Sequence, residues 1–184
     1  ATPNGKGNVI IGYNKPRGSL MEVLESAEGL EDTEAKKVEA VELDVSDSRG
    51  GSHNIIIGPE HEYTSFGGIV TGYRNQILNR YSAVVGGGYN KATGKYSTLT
   101  GGRNNAAIDS WSSISGGYGN TATGSYSSIS GGTGNTASGR YSSVLGGDSN
   151  DAQGVAAVVT GGFKNKAIGD RATVVGVRSR RKKK

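Results

Sequence analysis

The 184-residue chain contains no cysteine, three prolines, two phenylalanines and a single tryptophan. Without thiols it can form no disulfide, no thiolate metal site and no cysteine nucleophile. No apolar run approaches the ~18 residues that would cross a bilayer as a helix. Leu, Ile, Val and Phe together supply about a fifth of the residues, just under the level at which composition by itself points to disorder. That argues against a thick globular core.

Charge is equally thin along the body of the chain. The formal net charge of +5 invites a nucleic-acid reading, but Arg178, Arg180, Arg181, Lys182, Lys183 and Lys184 account for all of it and leave the rest slightly acidic. A basic tail without interleaved aromatics or a reading fold argues against nucleic acid as a partner. It reads as a terminal extension or the start of a neck.

Chemistry-bearing motifs are few. No phosphate-binding Gly-Lys-Ser/Thr loop, nucleophile elbow or dinucleotide fingerprint surrounds the glycines. "GGTGNTASG" superficially matches a calcium-binding nonapeptide, yet Asp is missing from its ligand position and the period is wrong. His53 and His61 are the only histidines, and without a second ligand cluster they read as ordinary loop residues rather than a metal site or acid–base pair. A carbohydrate-cleaving solenoid would pair carboxylates from neighbouring coils. This chain scatters Asp109, Asp148, Asp151 and Asp170 instead, so no enzyme activity, cofactor or metal is expected. Ser113, Ser128 and Ser143 align with Thr98, but regular Thr-x-Thr rows that would suggest ice binding do not recur.

What the chain has in excess is glycine, 32 residues, and the glycines keep time. Gly86, Gly101, Gly116, Gly131, Gly146, Gly161 and Gly176 follow one another at a strict period of 15, the signature of a stacked-unit protein. Counting each unit from its aromatic start, position 1 holds Phe66, Tyr81, Tyr96, Trp111, Tyr126 and Tyr141, then Ala156 and Arg171. Position 4 is always aliphatic: Ile69, Val84, Leu99, Ile114, Ile129, Val144, Val159 and Val174. Position 2 is always small, and a spacing of two places both on one face of a strand. Position 10 is always Asn, as in Asn75, Asn90, Asn105, Asn120, Asn135, Asn150 and Asn165, followed two residues later by Ala in every unit after Ile77.

Glycine at three positions and Ser/Thr-rich strings between them disfavour helix. Each unit therefore reads as two short strands joined by tight corners, with Asn and Gly taken as corner residues that tolerate positive φ. Stacked at about 4.8 Å per coil, like residues form ladders: the position 4 aliphatics, the alanines and the asparagine side chains each make one. Position 8 (Tyr73, Gly88, Arg103, Tyr118, Thr133, Asp148, Phe163) varies too freely to be a structural ladder, so Tyr73, Arg103, Tyr118 and Phe163 are candidate surface contacts.

Magnitudes bear on assembly. Ordering one coil costs on the order of 20 kcal/mol at about 1–2 kcal/mol per residue, whereas one buried aliphatic returns about 1.5–3 kcal/mol. A coil this thin is expected to bury its aromatic or second aliphatic positions against other copies of the chain, and an obligate parallel homotrimer is predicted.

"GGYGNTATGSYSSISGGTGNTASGRYSSVLGG" (116–147) resembles the head repeats of trimeric autotransporter adhesins, the YadA-like head family. The resemblance covers residues 66–177, with weaker echoes at "GNVIIGYN" (7–14) and "SHNIIIG" (52–58). It implies an all-β fold, a left-handed parallel β-roll (β-helix) made by three chains, placed outside the cell on a bacterial surface. It also implies a non-enzymatic head that attaches by repeated contacts to host matrix proteins, glycans or other cells. Departures are plain: Ile-Ser-Gly-Gly and Val-Leu-Gly-Gly stand where the family commonly has Ala-Ile-Gly, and membrane contact is expected only through an anchor these residues do not include. A second function class, a structural or receptor-binding segment of a phage tail fibre or surface filament, fits the same repeats.

The expected organisation is an N-terminal roll strand over 1–14, an acidic insertion over 15–51, the 15-residue-repeat roll over 52–177 and the basic tail over 178–184. The insertion holds ten of the sixteen acidic residues. Within it "SLMEVLESAEGL" has helical spacing behind a Ser19 cap, while "VELDV" alternates like a strand. It reads as a solvated loop or edge-protecting cap, or as a recognition loop carried sideways from the roll.

Overall fold

The computed structural model describes residues 9–11 and 50–176. The helix and strand signals of the acidic insertion and the basic tail lie outside the described residues.

The described chain is a parallel β-solenoid of about eight turns with no helix. Each turn contributes one strand to each of two sheets. The first sheet has ten strands, running from Val9–Ile11 through Ile55–Ile57, Ile69–Tyr73 and Ala83–Gly88 to a series of two-residue strands that ends at Thr173–Val174. The second has eight, from Glu62–Tyr63 to Lys166–Ala167. All pairings are parallel, with Ile114 opposite Ile129 in one sheet and Ala122 opposite Ala137 in the other. A third column of bridges links Gly88, Arg103, Tyr118, Thr133, Asp148 and Phe163. Val9–Ile11 pairs with Ile55–Ile57 and adds one strand to the first sheet; the rest of the expected N-terminal segment over 1–14 lies outside the described residues.

The strands are short because the coil turns every few residues, so stability comes from stacking. Within one coil, the N–H groups of Ser128, Ser130, Thr133, Thr136 and Ser138 donate to the carbonyls of Ser142, Val144, Gly147, Asn150 and Ala152 in the next, at 2.8–3.0 Å. Between the sheets run two apolar columns: Val84, Leu99, Ile114, Ile129, Val144 and Val159 from the first sheet, and Ala92, Ala107, Ala122, Ala137, Ala152 and Ala167 from the second. Val174 closes the first column and is only partly buried.

One ladder residue is corrected. Ile69 is 38% exposed and pairs with Ala83, whereas its neighbour Val70 is fully buried and pairs with Val84. The early coils are one residue shorter than the later ones, as the pairings Ile56–Val70 and Val70–Val84 show. The extra residue enters at a bulge in Ala83–Gly88, where Thr71 faces Val85 but Tyr73 faces Gly88. Strand side chains alternate between faces, so a count of 15 carried back across that bulge lands on the wrong face.

The asparagine ladder stands as expected, but the positive φ expected of it is corrected: it falls on the residue before each asparagine, and the amides themselves point inward. Asn75 through Asn150 are buried, and none of them has positive φ. Asn120 Oδ1 accepts the Asn135 N–H at 2.9 Å, while Asn120 Nδ2 donates to Gly116 O and Gly132 O, both at 3.0 Å. Each amide thus ties its own coil to the next and satisfies groups that burial would otherwise orphan. Asn165 continues the pattern at the last described rung, partly buried.

The positive φ falls on other columns. Tyr81, Tyr96, Trp111, Tyr126 and Tyr141 all have φ between 55° and 61°, a left-handed conformation uncommon for bulky residues. Their rings stack at centroid distances of 5.0–5.1 Å with interplanar angles of 2–24°. At the glycine pair the second member is the constrained one: Gly117 has φ 90°, and a Cβ there would run into the Gly132 carbonyl.

Candidate functional site

Two exposed features distinguish one side of the solenoid from another. The first is the outer face of the ten-stranded sheet. Its outward positions carry Ile55, Ile57, Ile69 and Val85 at one end, hydroxyls (Thr98, Thr100, Ser113, Ser115, Ser128, Ser130) in the middle, and Leu145 and Val175 at the other end. Ile55 and Val85 are 42% and 50% exposed. Parallel sheets are ordinarily covered on both faces, so an uncovered row of Ile and Val on such a face is unusual.

The second is the bridged column of position 8 with the column beside it. The structure places all four candidate contacts in one line and on the outside. Arg103 and Tyr118 occupy adjacent rungs; Tyr73 is separated from Arg103 by Gly88, and Phe163 from Tyr118 by Thr133 and Asp148. Phe163 has Lys164 Nζ over its ring at 4.9 Å.

The neighbouring column was not legible as a site. It consists of Glu60, Arg74, Tyr89, Asn104, Gly119, Gly134, Ser149 and Lys164, all in the left-handed region with φ of 52–66°. Its mixed chemistry hides any pattern in the sequence. At its upper end Glu60 pairs with Arg74, whose guanidinium lies 5.1 Å from the Tyr73 ring centre and 5.8 Å from that of Tyr89. Hydrogen bonding to Glu60 raises the Arg74 guanidinium further above its ordinary value, and desolvation raises the Tyr73 phenol. Both groups therefore keep their protons at neutral pH. Arg103 approaches the other part of this cluster, 5.1 Å from the Tyr89 ring centre.

His61 has a structural place. It is fully buried; its Nδ1 accepts the Asn75 N–H at 3.2 Å and its Nε2 lies 3.0 Å from the Ile57 carbonyl. This bonding puts the ring proton on Nε2 and makes His61 the first rung of the asparagine ladder. His53 is exposed on a rung of the aromatic column. Among the described residues no three His, Asp or Glu side chains gather as a metal site.

The carboxylates are each engaged nearby. Asp109 accepts from Ser110 N and Ser125 Oγ, Asp148 from Ser149 Oγ, and Asp170 from Val155 N. Asp151 lies 4.0 Å from Lys166 Nζ. What this surface offers chemically is guanidinium, phenol ring, hydroxyl and backbone carbonyl groups, which suit binding.

No protein-family model and no curated protein matches this chain.

Proposed function

We propose that the chain is the head of a trimeric surface adhesin of the YadA-like type, a left-handed parallel β-roll in which three chains pack in parallel and attach to glycans, matrix proteins or other cells without catalysis. The observation that carries this reading is the uncovered outer face of the ten-stranded sheet. Ile55, Ile57, Ile69 and Val85 form an identical apolar stripe on every copy, and a three-fold axis parallel to the stack would bury all three stripes at once.

The thin interior supports the same conclusion. Most later coils bury one aliphatic residue and one alanine, the coil of Val159 adding Ala157, so a second apolar surface shared among chains supplies what the single coil does not. Three copies of each exposed column then give multivalent attachment, in which weak contacts act together through high effective concentration. The position 8 column is the contact surface in this reading.

A binding array of glycans and matrix proteins, probed with the full chain and with a chain deleted for residues 15–50, tests the proposal. Specific binding by both forms places attachment on the roll, and binding lost on deletion places it on the acidic segment. A folded trimer that binds nothing contradicts attachment and favours a structural segment of a tail fibre or filament.

A further inference from the structure

Between Arg103 and Asp148 the two exposed columns form a polarised notch. In the left-handed column the side chains are interrupted at Gly119 and Gly134, with Asn104 on one side and Ser149 on the other. Glycine is not demanded there by the backbone, since Asn104 and Ser149 hold φ of 56° and 57° in the same column. Nor is it demanded by space: a Cβ at Gly119 would meet nothing within 4 Å, and one at Gly134 would meet only Ser149 Oγ at 3.7 Å. The gap is two rungs long, roughly 10 Å at the spacing of parallel strands.

Three side chains border it on consecutive rungs. Arg103 lies against the Tyr89 ring and has no carboxylate partner among the described residues. Tyr118 is 53% exposed, and Thr133 beside it is exposed, with no side-chain hydrogen bond among the described residues. The carbonyls of Gly119 and Gly134 accept no hydrogen bond among the described residues. The next rung is Asp148, so positive charge stands at one end and negative at the other.

We propose that this notch binds a single terminal sugar carrying one anionic group, a carboxylate or a sulfate. The guanidinium of Arg103, beside the Tyr89 ring, would turn to the anion and take it through paired N–H donors. The pyranose would lie against the Tyr118 ring, with its hydroxyls meeting Thr133 and the two glycine carbonyls. A repeating polyanion such as heparin or nucleic acid is disfavoured, because its next charge would run toward Asp148. This inference rests on the attachment reading and names its ligand class.

The test measures binding of the full chain to immobilised sialyl-lactose, 6-sulfo-N-acetyllactosamine, lactose and heparin. Both acid-capped sugars should bind and lactose should not, the first two separating a carboxylate from a sulfate preference. Arg103→Gln should weaken binding about tenfold or more, the range for a lost charge-assisted hydrogen bond. Gly119→Asn, which refills the gap with a residue the column already carries, should do the same, while Arg140→Gln on the aromatic edge should change nothing. Circular dichroism and oligomer mass equal to the parent confirm that both notch variants are folded. Acid-capped sugars bound equally by parent and notch variants, or heparin bound in preference to them, would overturn the notch. Binding of matrix proteins or neutral glycans alone overturns the notch and leaves attachment standing, whereas no binding to any array component removes the attachment reading as well.

Discussion

Asn105 Oδ1 accepts the backbone N–H of Asn120 at 2.9 Å, fifteen residues away and one coil along the stack. The same bond recurs from Asn75 to Asn165, so a single polar side chain per coil sets the register of the whole solenoid.

Replacing one of these amides opens several bonds together. Asn120→Ala removes the acceptor for Asn135 N–H and the donor to two glycine carbonyls. Gly132 O keeps the Tyr118 N–H, so two groups lose their partner, Asn135 N–H and Gly116 O; at about 1–3 kcal/mol for each group left unpaired, a loss of roughly 2–6 kcal/mol is expected in urea unfolding. Thr133→Ala, on the exposed surface, should stay within about 0.5 kcal/mol of the parent.

The two members of a glycine pair should respond oppositely. Gly116 has open space at its Cβ position and no positive φ, whereas Gly117 has φ 90° and faces the Gly132 carbonyl. Gly116→Ala is expected to be neutral within about 0.5 kcal/mol. Gly117→Ala combines backbone strain with a clash against backbone, and should lower the unfolding free energy by more than about 2 kcal/mol.

The bulge gives a neighbouring pair with distinct outcomes. Val70→Asp puts a charge into the interior column and should cost roughly 4 kcal/mol or more, seen as loss of the β-sheet circular dichroism signal on mild heating. Ile69→Asp places its charge on the outer face of the first sheet. It should leave the interior column intact and weaken association between chains, read as a fall in oligomer mass on dilution with the β-sheet signal lost in step.

Trp111 is stacked between Tyr96 and Tyr126, both at 5.0 Å. Each aromatic pair contributes about 0.5–1.5 kcal/mol beyond burial. Trp111→Ala should therefore destabilise by about 1–3 kcal/mol and abolish the near-ultraviolet dichroism that the ordered tryptophan produces, with the β-sheet signal kept.

Much of this architecture was legible because stacking turns sequence period directly into contact. From Gly86 onward each repeat predicts its own rung, and Val84, Leu99, Ile114, Ile129, Val144 and Val159 all stand where the period puts them. Ile69 was misplaced because Ile69 and Val70 are both aliphatic and only the coil length decides between them. The asparagine ladder was legible from the period; the positive φ expected of it was one residue out, because asparagine tolerates that conformation and the residues that adopt it here share no chemistry. The aromatic column's left-handed backbone carries no sequence signal, since tyrosine gives no hint of positive φ. The notch was invisible for a related reason: it joins position 8 to a column whose residues share a conformation and no chemistry.

If the solenoid is completed by association, as proposed, sedimentation equilibrium of the full chain will reveal it. The expected species has three times the 18.9 kDa chain mass, persists on dilution, and unfolds and dissociates in one transition. A folded, thermally stable particle of 18.9 kDa would contradict it.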